Sequence, residues 1–557
     1  MEARRLLFGA LCTCIAFASV GFARAQTSPS PAATPTPFAQ PALTPTPEPG
    51  SSASPESSPS ITPPPTPTPT PTPPPITANP QNVQVPVGTT QTVTLGGIFG
   101  SFTAVAADPT LVDVGLDQDA RTLSIAGKAP GATTITVTDA RGITDLVGVR
   151  VAYNAGTIPN NLEVPITGDP ASPDYVREIV ASRIIRATHT QPGAQVVLSA
   201  DDVPLHENVN QDMNRTIDVP VLVQGEAYFS VEETVRVTVE NVAVPRISPD
   251  LLMVSDFPEK LTENGVLFEA DLHRDAPTRF LYFHYNPPGQ PDRRIVLVAQ
   301  NTSTQPSTVQ FISGRGGPTP NEMEVGHAAT KNFLVNDIQN QGRLIQVDAN
   351  STQVIDTQDM PAGSIVANIL QLRVLQGANV HLVLVAQNAS DSPQSALTTG
   401  ELLTSTVRHA RGIYTIPEFH FATQWNVNDA YLELPIGQIP LPNQLTGEAL
   451  SGDYGVLESF VVNVQNPLST PQNIAIYENP RGGNATGTYL IDGVLVQSHR
   501  VPAFSRYKVR QYVVPAKGFV RVTIVTIPEA GSSYPLRLIF APDDGSVAPG
   551  TVNSPVY

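Results

Sequence analysis

The chain has 557 residues, enough for about three to five domains at roughly 100–200 residues each. Charged residues make up only 15% and the net charge is −17, an acidic surface that repels phosphate backbones and argues against nucleic acid as a partner. Low charge together with abundant Val, Thr, Ile and Gly points to β-sandwiches rather than helical bundles.

Arg4 and Arg5 precede an apolar run from Leu6 to Phe22, and Ala23-Arg24-Ala25 follows with small residues at its ends. This is the three-part pattern of a secretory signal peptide over residues 1–25, with cleavage expected before Gln26. Leu11-Cys12-Thr13-Cys14 faintly resembles a lipobox but lies inside the apolar run. Cys12 and Cys14 are the only cysteines, so the cleaved chain is expected to hold no thiol, disulfide or Cys-ligated metal. With no other long apolar run, no transmembrane anchor is expected in the mature chain. Residues 26–77 are built from Pro, Thr, Ser and Ala, clearest at Thr66 to Pro75. Proline lacks an amide donor and apolar surface is scarce, so this segment reads as a disordered, polyproline-like spacer.

Residues 78–153 show short alternating strands broken by Gly, Pro and Asp, which predicts an antiparallel sandwich. The run Gly127-Lys128-Ala129-Pro130-Gly131-Ala132-Thr133-Thr134-Ile135-Thr136-Val137-Thr138-Asp139 resembles bacterial Ig-like domains of group 2. It also resembles the amino-terminal module of pilus-assembly secretins. The resemblance implies an exported bacterial protein, with spacer or adhesion roles for this module. Gly127 and Gly131 are expected at positive-φ turn positions. Residues 154–245 read as a small β-rich domain with one helix over about 172–186, where Ser172 caps, Pro173 follows, and Tyr175, Val176, Ile179, Val180 and Ile184 recur at helical spacing. Arg177, Glu178, Arg183 and Arg186 fall on its solvated face.

A motif recurs in the remainder. Gln300-Asn301, Gln387-Asn388 and Gln465-Asn466 each end an apolar strand and are followed by Pro306, Pro393 and Pro471. The reading is a strand, an Asn-nucleated turn and a return strand. It suggests two sandwiches over 246–405 and 406–557, the second a possible duplicate of the first. Val520–Val525 would then be the counterpart of the strand that carries the middle copy.

Chemistry is sparsely signalled. The nine histidines follow no zinc spacing, and neither a G-x-S-x-G elbow nor a P-loop occurs. No cofactor and no metal site are expected, and catalytic residues stay unassigned. Glu322, Glu324 and His327, after the presumed turn Gly314-Arg315-Gly316-Gly317-Pro318, form the densest polar group. They are the candidate acid–base or ligand-binding residues, against a plain polar loop leading into a short helix over 328–335. Glu418 and His420 share a strand face, and Tyr282, Phe283 and Tyr285 form the one dense aromatic strip, with core packing its simpler fate. The leading expectation is a non-enzymatic surface or envelope module of a bacterium, secreted, periplasmic or on the cell surface, with a cell-surface protein or glycan as partner. The alternatives are a polysaccharide-active or carbohydrate-binding protein with its site in 246–557, and a secretin- or pilus-associated component.

Overall fold

The computed structural model describes residues 74–545 other than 397, 399 and 447. The leader over 1–25 and the spacer up to residue 73 lie outside the described residues. Ile76 and Thr77, which composition assigns to the spacer, belong to the first sandwich: Ile76 is buried in its core and Thr77 pairs with Gly96.

Among the described residues the structure is mainly β, with two α-helices. The first module packs two four-stranded sheets face to face. Alternation drives it: in Asn82–Pro86, Val83 and Val85 turn inward while Asn82 and Gln84 face solvent, so one face of each strand leaves water. Gly127 and Gly131 are not positive-φ turn residues; both stand in strands. A Cβ on Gly127 would lie 3.0 Å from the Pro86 carbonyl oxygen, and one on Gly131 would lie 2.7 Å from Leu111. Glycine is used at these two positions for close approach.

Helix α1 spans Pro173–Ala187 and buries Tyr175, Val176, Val180, Ala181 and Ile184. Ser172 holds the cap position without a side-chain capping bond; instead its amide donates to Gln341 Oε1 at 2.6 Å. The helix lies on a sheet that does not stop at residue 245. Asn161–Thr167 pairs with Val231–Asn241 on one side and with Gly342–Val347 on the other. One ten-stranded sheet therefore runs from Gln195–Val197 to Arg411–Tyr414. Strand Arg411–Tyr414, beyond the boundary drawn at 405, pairs with Leu251–Ser255.

The far half of this sheet faces a four-stranded sheet, Gly265–Leu272, Val380–Asn388, Arg293–Asn301 and Ser351–Met360, across an apolar core that includes Phe268, Phe280, Leu297 and Leu370. A last sandwich, of five and four strands, encloses Trp425, Phe460, Tyr489 and Phe540. The two Asn turns match closely. Asn301 Nδ2 donates to Gln305 O (2.8 Å) and Val347 O (3.1 Å); Asn466 Nδ2 donates to Thr470 O (2.8 Å) and Val514 O (3.1 Å). In the middle copy, Gln387 rather than Asn388 binds the loop. Val380–Asn388 lies antiparallel beside Arg293–Asn301, as Phe519–Thr526 lies beside Leu457–Gln465. The chain visits these positions in different order, however. Ser364–Gln376, the neighbour of Ser307–Thr319, precedes Val380–Asn388, whereas Leu536–Pro542, the neighbour of Gln472–Pro480, follows Phe519–Thr526. The likeness is one of layout around a shared turn, since an Asn latch constrains only its adjoining strands.

Candidate functional site

Glu322, Glu324 and His327 are not loop residues. Helix α2 starts at Glu322 and continues to Ile338, with Asn321 at the cap position. Two carboxylates in the first turn suit the positive end of the helix. The glycine run before it is not a turn either: Gly314, Gly316 and Gly317 belong to strand Ser307–Thr319. A Cβ on Gly314 would lie 2.1 Å from the Phe333 amide nitrogen, and one on Gly316 would lie 1.9 Å from Val325 O. The missing side chains let α2 lie directly on the strand. Gly326 repeats the device against another segment, where a Cβ would meet Ala530 O at 1.7 Å. Helix α2 is thus clamped between the ten-stranded sheet and the 529–533 loop of the last sandwich. Phe333, Leu334, Leu457, Leu490 and Ile527 seal that seam.

The three candidates then diverge. Glu324 is exposed and accepts from Thr319 Oγ1 at 3.3 Å. His327 turns into the seam. Its Nδ1 lies 3.0 and 3.1 Å from the two oxygens of Glu529, and its Nε2 lies 2.8 Å from Gln497 Nε2. The pattern fits a neutral ring whose Nδ1–H donates to Glu529 and whose Nε2 accepts from the Gln497 amide. Glu529 is fully buried and also accepts from Thr486 Oγ1 at 2.5 Å, which in turn contacts Ser532 Oγ at 2.8 Å.

Glu322 lines a cavity of about 270 Å³ in the same seam, together with Asp256, Glu259, His409, Tyr454 and Ser532. Asp256 and His409 also wall a neighbouring hollow of about 390 Å³. The pairing of Ser255 with Arg411 brings Asp256 and His409 together, and the Asp256 amide donates to Ala410 O at 2.8 Å. His284 anchors the loop that carries Glu259. Its Nδ1 lies 2.9 Å from Pro258 O and its Nε2 lies 3.2 Å from Ser255 Oγ. Burial lowers the His284 pKa to about 4, so the ring is neutral.

His409 stands between two carboxylates, with Nδ1 3.5 Å from Asp256 Oδ2 and Nε2 3.0 Å from Glu259 Oε2. The hydrogen bond to Asp256 raises the His409 pKa, while burial pushes Asp256 up to about 6. Asp256 Oδ1 is buried without a hydrogen-bond partner. The three side chains offer ligand atoms within 4.8 Å of one another. Because each ring nitrogen faces a different carboxylate, the arrangement fits a protonated imidazole donating on both sides better than a single cation bound by all three.

Sequence reasoning missed Asp256, Glu259, His409 and Glu529. Asp256 and Glu259 share one loop, but His409 and Glu529 come from distant segments joined to it only by sheet pairing and the seam, and no local spacing marks the group. Among the other polar candidates, Glu418 is taken by a buried ion pair with Arg279 (2.8 Å), leaving His420 exposed. Tyr282 and Phe283 are buried and Tyr285 is half-buried, so the aromatic strip is core and not a platform.

The family model described as the pilus formation protein N-terminal region matches residues 79–152, the module that resembles it in sequence. No curated protein matches the chain. Among solved structures, tripeptidyl peptidase 2 is similar at 9% identity and a TM-score of 0.14, over 83% of this chain and 32% of that one. The chain thus spans about a third of that enzyme. SGBP-B of the Bacteroides ovatus mixed-linkage glucan utilization locus is similar at 9% identity and a TM-score of 0.13, over 55% of this chain and 71% of that one. A carbohydrate-binding module of the β-sandwich superfamily is similar at 9% identity and a TM-score of 0.11, over 56% and 94%. TM-scores this low define no shared fold. Among the described residues, no helix is long and apolar enough to cross a membrane.

Proposed function

We propose that the chain is a non-enzymatic, exported scaffold or adhesion module of a bacterial envelope, presenting its sandwiches to a cell-surface protein or glycan. The observation that carries this reading is that the acid–base groups of the seam are engaged with one another. His327 is held by Glu529 and Gln497, and His409 by Asp256 and Glu259. Asp256, Glu259 and His409 line the cavity of about 270 Å³, and Asp256 and His409 also wall the neighbouring hollow of about 390 Å³, so it is the mutual pairing of these groups, and not the size of the space, that speaks against catalysis. The leader-like amino terminus and the match over residues 79–152 support the exported setting.

The same match favours a second reading, a component associated with a pilus or secretin. Both readings are tested by incubating the leader-less chain with envelope fractions and polysaccharides, then assaying binding and turnover. Binding without turnover is the expected result, and copurification with a secretin or pilus complex would select the second reading. Polysaccharide hydrolysis abolished by Asp256→Asn or His409→Gln would overturn both.

A further inference from the structure

A second polar site lies away from the seam, where helix α1 meets the ten-stranded sheet and α2. Arg186 of α1, Arg315 and Arg343 of the sheet all converge on one carboxylate, Asp356, whose side chain is 2% exposed. Arg343 is 3.1 Å from Asp356 Oδ1, Arg186 is 3.5 Å away, and Arg315 is in direct contact. The three guanidiniums open onto a hollow of about 340 Å³ that Lys331 and Glu178 also line. Asp174 on its rim is already paired with Arg177 at 2.5 Å. Four cations against Asp356 and Glu178 leave a local charge of 4 − 2 = +2, on a chain whose net charge is −17. Burial, and after it repulsion from Arg343, lowers the Arg186 pKa, whereas the Asp356 carboxylate raises that of Arg315. Arg186, which helical spacing places on a solvated face, is exposed there while its guanidinium reaches Asp356 at 3.5 Å.

We propose that this hollow is a binding site for an oxyanion group, a carboxylate, sulfate or phosphate, on a free anion or on an acidic polysaccharide. Guanidiniums offer planar, paired N–H donors suited to such groups. Asp356 acts as the post that holds them in place, using one acceptor for three donors. Arg315 also borders an adjoining hollow of about 480 Å³ with Arg294 on its wall, which leaves room for the neighbouring sugars of a chain. The inference stands independently of the scaffold reading, since it requires only the local charge and shape.

Calorimetry on the leader-less chain at low and at physiological salt tests it, with inorganic sulfate, galacturonate, polygalacturonate, dextran sulfate and neutral dextran as probes. The anionic probes are expected to bind, more weakly as salt rises. Arg186→Gln with Lys331→Gln is expected to weaken them by at least about tenfold, and Glu178→Gln to tighten them by about threefold or more. Both variants keep Arg315 and Arg343 on Asp356, and a thermal melt checks their folding. Tight binding of polymers alone assigns the site to an acidic glycan, whereas equal binding of sulfate or galacturonate assigns it to a free anion. Absence of binding by every anionic probe, or affinities unchanged in both variants, would overturn the proposal, and neither result bears on the scaffold reading.

Discussion

Glu478 lies fully buried in the last sandwich, and both carboxyl oxygens lack a hydrogen-bond partner. The Ser498 and Tyr489 hydroxyls face it without closing full hydrogen bonds, and burial outweighs their pull and raises the pKa to about 8. Burial likewise raises Glu458 to about 8. A carboxyl raised in this way binds its proton more tightly folded than unfolded, so stability falls as pH climbs from the ordinary 4.5 towards 8. His284, neutral and buried, has the opposite sign but acts only below its ordinary value of 6.5. His409, raised, loses stabilisation as pH rises through its folded pKa, the same sense as the glutamates. The melting temperature should therefore drop between pH 6.5 and 8. Glu478→Gln should remove part of that drop and gain roughly 1–3 kcal/mol at pH 8, since one pKa unit is worth about 1.4 kcal/mol. A melting profile of the variant parallel to the native one across this range would show that Glu478 is already ionised.

Helix α2 is the element on which the seam depends, and its seat is made by absent side chains. Gly314 does not have a positive φ, so alanine there meets no backbone penalty of its own. The added methyl must instead displace the helix backbone at Phe333. Gly314→Ala is expected to cost roughly 2–4 kcal/mol, within the range for overpacking and strain, read as a shifted urea midpoint. Gly142→Ala is the comparison, because Gly142 has φ +79° and open space around it. Its cost should be only the conformational one, about 1 kcal/mol. Trp425, the single tryptophan, is buried in the last sandwich and reports unfolding there. If Gly314→Ala left the midpoint where it is, the close fit of helix to strand would be wrong.

At the scale of the molecule, packing divides the described chain unevenly. The core of the first module draws only on residues between Ile76 and Val151. From residue 154 onward, one sheet crosses from the α1 region into the next sandwich, and the seam around α2 joins that sandwich to the last. Contacts between the first module and its neighbour centre on Arg150, stacked over Phe229, and on the Phe229 amide, which donates to Tyr153 O at 2.9 Å. Thermal unfolding followed by far-ultraviolet dichroism should thus show two transitions. Trp425 fluorescence should follow only the one that belongs to residues 154–545. Removing residues up to 153 should leave the fluorescence midpoint unchanged; a large shift would mean that the first module is part of the same cooperative unit.

Period-two alternation, the helix of 173–187 and the Asn turns at 301 and 466 were legible from the residues alone, because each is set by neighbours a few positions apart. The glycines at 127, 131, 314 and 316 were visible but misleading. The chain cannot reveal by itself whether a glycine bends backwards or makes room for another element. The pairs His327 with Glu529, Asp256 with His409 and Arg186 with Asp356 were decided only in three dimensions. Which distant charges meet depends on strand register and on the way whole sheets stack, and neither leaves a local pattern.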